Sequence, residues 1–382
     1  MSEIRLKLSR RELVRGIAGG AMGLGTSRGV LAAATAPASP EPGMKFGLKW
    51  PADPGDADLL FLKQIGATHV SVVVPLPPAR NAAEVRLPTL ERLKSVKARY
   101  EAAGLKVHKF LGPLMVPPKE IVLNLPGRDQ AIDLYRQWID LNSQAGLYYV
   151  GVSYMLTNVW QSGKTPTRYA PTRQFDAAAA SFQDGYQVAE PAFGRDYSRD
   201  EIIANYNYFI RQIAPVAERA GVAVAFHPDD VPVYDKLAGV PRIFNNFSEI
   251  KERLAAARSP NIGLIMCCGV WIEGGPGMGC TLEDAIRYFV GNERTWEIHF
   301  RNVSSTIPRF NEAFMDNGVY DMYRIMKTVY ESGYRELIHY DHTPDMVGAP
   351  YAYPAYAFGY MHACYQRAVA GSPVTGRQAV TA

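Results

Sequence analysis

The chain has 382 residues, 47% of them hydrophobic and 20% charged, with four cysteines and a formal net charge of +4. So few cysteines, two of them adjacent (Cys267 and Cys268), exclude a disulfide scaffold, and the lack of a basic run interleaved with aromatics argues against a nucleic-acid surface. No uninterrupted apolar stretch is long enough to span a bilayer, which leaves a globular protein of ordinary composition.

The first segment reads as an address. Ser9-Arg10-Arg11-Glu12-Leu13-Val14 precedes a Gly- and Ala-rich stretch and then Leu31-Ala32-Ala33-Ala34, an order that resembles a twin-arginine export signal with an A-x-A cleavage site. Residues 1–34 are therefore expected to be removed, with the Tat translocon as a passing partner and the periplasm or the exterior as destination. Arg15 and Arg28 bracket only a short Gly-rich run, so no membrane anchor is expected after cleavage. Arg5, Lys7, Arg10, Arg11, Arg15 and Arg28 against Glu3 and Glu12 carry the whole net charge, and the remainder is formally neutral. Residues 35–43, rich in Pro and Ala, read as a linker, residues 44–372 as one domain and residues 373–382 as a disordered tail.

From Met44 short apolar or β-branched runs alternate with longer amphipathic stretches. Strands are predicted at 45–50, 68–74, 105–111, 148–154, 222–227, 262–267, 296–300 and 336–341. Helices fall between them, among others at 90–103, 129–145, 199–220, 246–258 and 322–332. Eight strands alternating with helices predict an α/β protein, a (β/α)8 or TIM barrel in a single domain. An open doubly wound sheet would carry a Gly-rich phosphate loop after an early strand, and none is present. Gly274-Gly275-Pro276-Gly277-Met278-Gly279 has no Lys-Ser/Thr behind it and reads as a mobile loop. The fourth connection, residues 156–198, is rich in Ser, Thr, Gln and aromatics and is expected to fold over the barrel mouth.

The chemistry gathers at the ends of the last four strands. They close on His227-Pro228-Asp229-Asp230, on Met266-Cys267-Cys268-Gly269, on His299-Phe300-Arg301 and on His339-Tyr340-Asp341-His342. His227, Cys267, His299 and Asp341 are separated by 40, 32 and 42 residues, each about one βα unit. Every strand thus carries one imidazole, thiol or carboxylate to the C-terminal rim, where barrel active sites lie. Four such groups converging on the axis suit one divalent cation.

These residues resemble the mannonate dehydratase family of the xylose-isomerase-like barrels. The similar stretches include the four strand ends, Val240-Pro241-Arg242-Ile243, and Asn317-Gly318 with Asp321-Met322-Tyr323. More weakly, they include residues 50–54, Gln64-Ile65-Gly66-Ala67-Thr68, residues 101–105 and Trp160. The resemblance implies removal of water from a sugar acid such as D-mannonate to give a 2-keto-3-deoxy acid. It implies one metal ion, typically Mn2+ with Fe2+, Co2+ or Zn2+ as alternatives, on His227, Cys267, His299 and Asp341. It also implies acid/base work by His342 with a tyrosine downstream, Tyr353 being chosen from Tyr351, Tyr353 and Tyr356. Elimination next to a carboxylate needs a base for the C2 proton and an acid for the departing C3 hydroxyl. Arg301 and Arg242 are expected to grip the carboxylate by two-toothed contacts, with Trp160 and Asp229 also at the substrate.

Three positions depart from the family pattern: Pro75-Leu76-Pro77-Pro78 in place of histidines, Ser153-Tyr154 in place of an asparagine, and Val319 in place of an aspartate. The alternatives are a metal-dependent sugar isomerase or epimerase on the same barrel, β-elimination on an oxidised keto glycoside, and an exported binding protein that keeps the ligand set without turnover. Isomerase sites usually add glutamates at strand ends, and none stands at Tyr154 or Cys267. Assembly into a homo-oligomer is left open.

Overall fold

The computed structural model describes residues 43–75, 81–156, 160–179 and 190–371. The expected export signal, all of the linker but Gly43, the tail and the Leu76-Pro77-Pro78 departure lie outside the described residues.

Eight parallel strands form a nearly closed barrel: β1 (Lys45–Pro51), β2 (His69–Val73), β3 (Lys106–Leu111), β4 (Tyr149–Ser153), β5 (Ala223–His227), β6 (Ile262–Cys267), β7 (Thr295–His299) and β8 (Leu337–His339). Their hydrogen-bonded order is β3-β2-β1-β8-β7-β6-β5-β4, the order of sequence wrapped into a ring. β3 and β4 lie side by side across the remaining seam. Each strand is a run of mostly buried residues (AVAFH in β5, IGLIMC in β6), as parallel strands covered on both faces require. Register sets Ser153 opposite His227, Cys267 opposite His299, and His299 opposite His339.

The helices cover the outside: α1 (Asp56–Gln64), α2 (Leu90–Ala102), α3 (Lys119–Val122), α4 (Arg128–Gln144), α5 (Arg199–Ala220), α6 (Phe247–Ala256), α7 (Cys268–Gly274), α8 (Leu282–Gly291), α9 (Met322–Glu331) and α10 (Ala352–Gly371). α5 shows why such segments are helical. Ser198 caps its first turn in a reciprocal box with Glu201, and Gly221 at φ 64° ends it. Between these ends Ile202, Tyr206, Phe209, Ile210 and Ile213 recur at helical spacing and are buried.

The structure departs from the sequence expectations at two places. The Gly-rich stretch is not an open loop. α7 begins one residue after Cys267, and Gly275–Met278 continues as a 3-10 turn with Gly274 and Met278 buried. Small residues pack there because larger ones cannot: an added Cβ on Gly274 would meet Met278 at 2.4 Å. The last strand is also shorter than predicted, ending at His339, so Asp341 and His342 lie on the turn beyond it. The described part of the fourth connection forms a hairpin, Gly163–Thr167 paired with Ala170–Asp176, joined by Arg309–Asn311.

Candidate metal centre

His227, Cys267, His299 and Asp341 converge at the C-terminal end of the barrel, each offering one ligand atom, and all four atoms lie within 4.8 Å of one another. His227 Nε2 stands 3.3 Å from His299 Nδ1, which is 3.4 Å from Asp341 Oδ2. The side chains of His299, Asp341 and Cys267 are nearly closed to solvent.

The neighbours of the two imidazoles fix their tautomers. His227 Nδ1 donates to the Pro228 carbonyl at 2.6 Å, leaving the Nε2 lone pair inward. His299 Nε2 donates to Glu297 Oε1 at 2.9 Å, leaving Nδ1 inward. Outer partners of this kind orient metal-binding histidines. Glu297 Oε1 also accepts from His339 Nε2 at 2.6 Å, and Lys109 pairs with its other oxygen. Burial opposes the charge on Glu297, but Lys109, His339 and His299 hold its carboxyl well below the usual range. Glu297, His299 and His339 also cluster closely enough to hold an ion, yet the Lys109 ammonium already fills the cation's part there.

Asp341 accepts from Lys49 Nζ at 2.6 Å. Burial works against its charge too, but Lys49, His342 and His299 keep its carboxyl well below the usual range. Burial also opposes the protonated form of His299, but Asp341 outweighs it and lifts the imidazole to about 9. The donor set of two imidazoles, a thiol and a carboxylate, with both inward lone pairs assigned, fits one divalent transition-metal ion.

His342 hangs at the rim with 27% of its side chain exposed. Its Nδ1 lies 2.9 Å from Glu312 Oε1 and its Nε2 3.6 Å from Asp341 Oδ2, so it faces the centre without joining the ligand set. Tyr353 is buried and lines a cavity of about 500 Å³ together with Lys49, Trp50, Tyr340 and Thr343. Burial raises its phenol well above the usual value, so it keeps its proton. Tyr351 and Tyr356 donate instead to Asp58 and Asp316.

The two arginines expected on a carboxylate are used otherwise. Arg301 is 1% exposed and spends all five N–H donors inside the protein. They go to Glu312 at 2.7 and 2.6 Å, Asp230 at 3.0 Å, Glu273, and the Cys267 sulfur at 3.8 Å. It is a positioning residue, not a substrate grip. Arg242 is buried and pairs with Asp229 at 3.3 Å, whose other oxygen accepts from the Phe244 N–H at 2.8 Å. This pair ties the end of β5 to residues 242–244. Trp160 is fully buried, its carbonyl accepting from Arg173 at 2.8 Å, and serves as core beneath the hairpin.

Several site residues escaped sequence reasoning. Glu297 and His339 lie two positions before His299 and Asp341, and period-two alternation could have placed Glu297 on the inward face with His299. Lys49 and Lys109 sit on strands read only as apolar runs. Arg173, Glu273 and Glu312 belong to the connections, where no periodicity marks a residue. Arg173 joins Arg301 on Glu312, Glu273 and Asp230, so the hairpin is pinned to the same cluster as His342.

Residues 188–372 match the family model described as D-mannonate dehydratase (UxuA), a span that contains all four candidate ligands and His342. The mannonate dehydratase of Lactococcus lactis subsp. cremoris is 26% identical over 318 residues, covering 75% of this chain and 85% of that protein. That of Streptococcus agalactiae serotype Ia is 29% identical over 276 residues, covering 66% and 77%. Among solved structures, mannonate dehydratase from Streptococcus suis serotype 2 superposes with a TM-score of 0.74 at 24% identity, covering 90% of this chain and 99% of that one. The E. coli 3-keto-D-glucoside 4-epimerase YcjR shares the barrel at a TM-score of 0.55 and 13% identity, covering 84% and 100%.

Proposed function

We propose that this chain is a member of the mannonate dehydratase family, whose model matches residues 188–372, and that it is a metal-dependent hydro-lyase that removes water from a sugar acid of the mannonate type. One observation carries the reading: four buried ligand atoms from successive strand ends meet within 4.8 Å, with a solvent-reachable imidazole beside them.

His227, Cys267, His299 and Asp341 would hold the ion, Mn2+ being our proposal. When bound, a divalent cation supplies Lewis-acid stabilisation of the negative charge that develops beside a carboxylate as its α-proton leaves. The protein's own groups do the rest. His342, anchored through Nδ1 by Glu312, swings no further than its rim position and takes the C2 proton. Tyr353, still protonated in the cavity wall, donates to the departing C3 hydroxyl. Arg301 and Arg173 tie Glu312, and hence His342, to the end of β7 and to the hairpin. The enclosed ligand set keeps bulk water from the developing charge.

Product analysis tests the reading. Metal-loaded protein incubated with D-mannonate should yield a product lighter by one water. An isomer of unchanged mass would replace the lyase with an isomerase or epimerase. Export by the Tat route belongs to the same proposal, supported by Arg10-Arg11 and the A-x-A site. Replacing both arginines by lysine should leave the protein in the cytoplasm, and full delivery of that variant would refute the route.

A further inference from the structure

A sugar acid brings a carboxylate, and with Arg301 and Arg242 engaged elsewhere the site needs another cation to receive it. The described residues offer few. Arg301 has no donor left. Arg173 is similarly spent on Glu312, Asp230, Glu273 and the Trp160 carbonyl. Lys109 is 1% exposed and lies below the ligands, against Glu297. Arg168 and Lys164 sit on the outer hairpin, paired with Asp316 and Asp345.

Lys49 differs from all of these. It stands near the C-terminal end of β1, and its side chain is 33% exposed. One N–H meets Asp341 Oδ1 at 2.6 Å, and the other two have no hydrogen-bond partner among the described residues. It borders the cavity of about 500 Å³ that also reaches Trp50, Asp58, Tyr340, Thr343 and Tyr353, a size within the range of small-molecule sites. An anion held there would lie one ammonium away from a candidate metal ligand.

We propose that Lys49 receives the substrate's carboxylate and so selects acids over neutral sugars, an inference that rests on the sugar-acid reading of the site. The role has a chemical reason beyond binding. Removing the α-proton of a carboxylate builds a second negative charge beside the first. An ammonium on the carboxylate offsets that charge where it grows, so Lys49 should act on turnover as well as on affinity. It also explains why a flexible lysine suffices: Arg301 already provides the rigid fork, and it is used to position Glu312.

The test compares an acid with its neutral amide, using 2-C-methyl-mannonate and 2-C-methyl-mannonamide, which lack the C2 hydrogen and bind without reacting. Binding is measured by calorimetry on metal-saturated wild type, Lys49→Met and Lys49→Arg, with metal content checked in each. Wild type should prefer the acid by about tenfold or more, as a charge-assisted pair implies. Lys49→Met should lose that preference while still binding the amide, and Lys49→Arg should keep most of it. If Lys49 merely braces Asp341, Lys49→Met weakens acid and amide alike and the proposal falls. If wild type turns over mannonate but binds acid and amide equally, Lys49 recognition fails while the lyase stands. If wild type binds neither and turns nothing over, the sugar-acid reading fails and takes this proposal with it.

Discussion

His299 has both ring nitrogens assigned, Nε2 to Glu297 and Nδ1 to the centre. In the metal-free protein Asp341 and its other partners, against the pull of burial, lift this imidazole to about 9. Its folded value is therefore above the ordinary one, so the stability it contributes is full below about 6.5 and is lost as pH rises through about 9. A cation must displace that proton. Metal affinity should accordingly rise by at least about tenfold per pH unit between 7 and 9, since the Cys267 thiol must give up its proton to the ion as well, and calorimetry in buffers of different ionisation enthalpy should record proton release. Equal affinity at pH 7 and 9 would contradict the assignment of His299. His342 makes a different prediction because it touches the ligand set without belonging to it. His342→Asn should retain its metal and melting temperature while turnover falls by roughly 100-fold or more. A variant with lower stability but normal turnover per folded molecule would make His342 a structural anchor for Glu312 instead.

At the scale of elements, the site depends on how closely α7 approaches the end of β7. A Cβ on Gly269 would meet Arg301 Cδ at 2.5 Å and Cγ at 2.7 Å. Arg301 cannot yield, because its guanidinium is fixed to three carboxylates at its far end. Gly269→Ala should displace that guanidinium and unpair buried charges, costing about 3–5 kcal/mol if a partner is lost outright. Thermal denaturation should register the loss even with metal present; an unchanged melting temperature would mean the cluster relaxes freely. Gly318 has a similar reason, since a Cβ there would meet the Asn302 side chain at 2.1 Å, and Asn302 holds the Met315 and Tyr320 carbonyls. The Asn317-Gly318 and Cys268-Gly269 motifs were legible in the sequence as similarities. Their physical cause, close approach to a buried polar side chain, was not, because the partner lies 32 residues from Gly269 and 16 from Gly318, beyond any local spacing.

For the molecule as a whole, the barrel was legible because each strand is a compact β-branched or apolar run and each long helix keeps its 3.6-residue period. α7 was not, because two glycines in seven residues hide a helix whose stability comes from burial. The convergence of the four candidate ligands was legible from the same alternation: one residue per βα unit, at or just beyond the strand end. The charge cluster behind it was not, since Glu273 comes from a short helix, Arg173 from the hairpin and Glu312 from the residue after Arg309–Asn311, with no shared spacing. In the proposed reading the barrel assembles a centre for one divalent ion, and dehydration depends on that ion. Stripping the protein with chelator and titrating Mn2+ back while following loss of water from D-mannonate tests it most directly. Activity should be absent at the start, rise linearly, and saturate near one equivalent per chain, and Cys267→Ser should bind the ion more weakly. Full activity in the stripped protein, or no activity at saturating metal, would contradict the account.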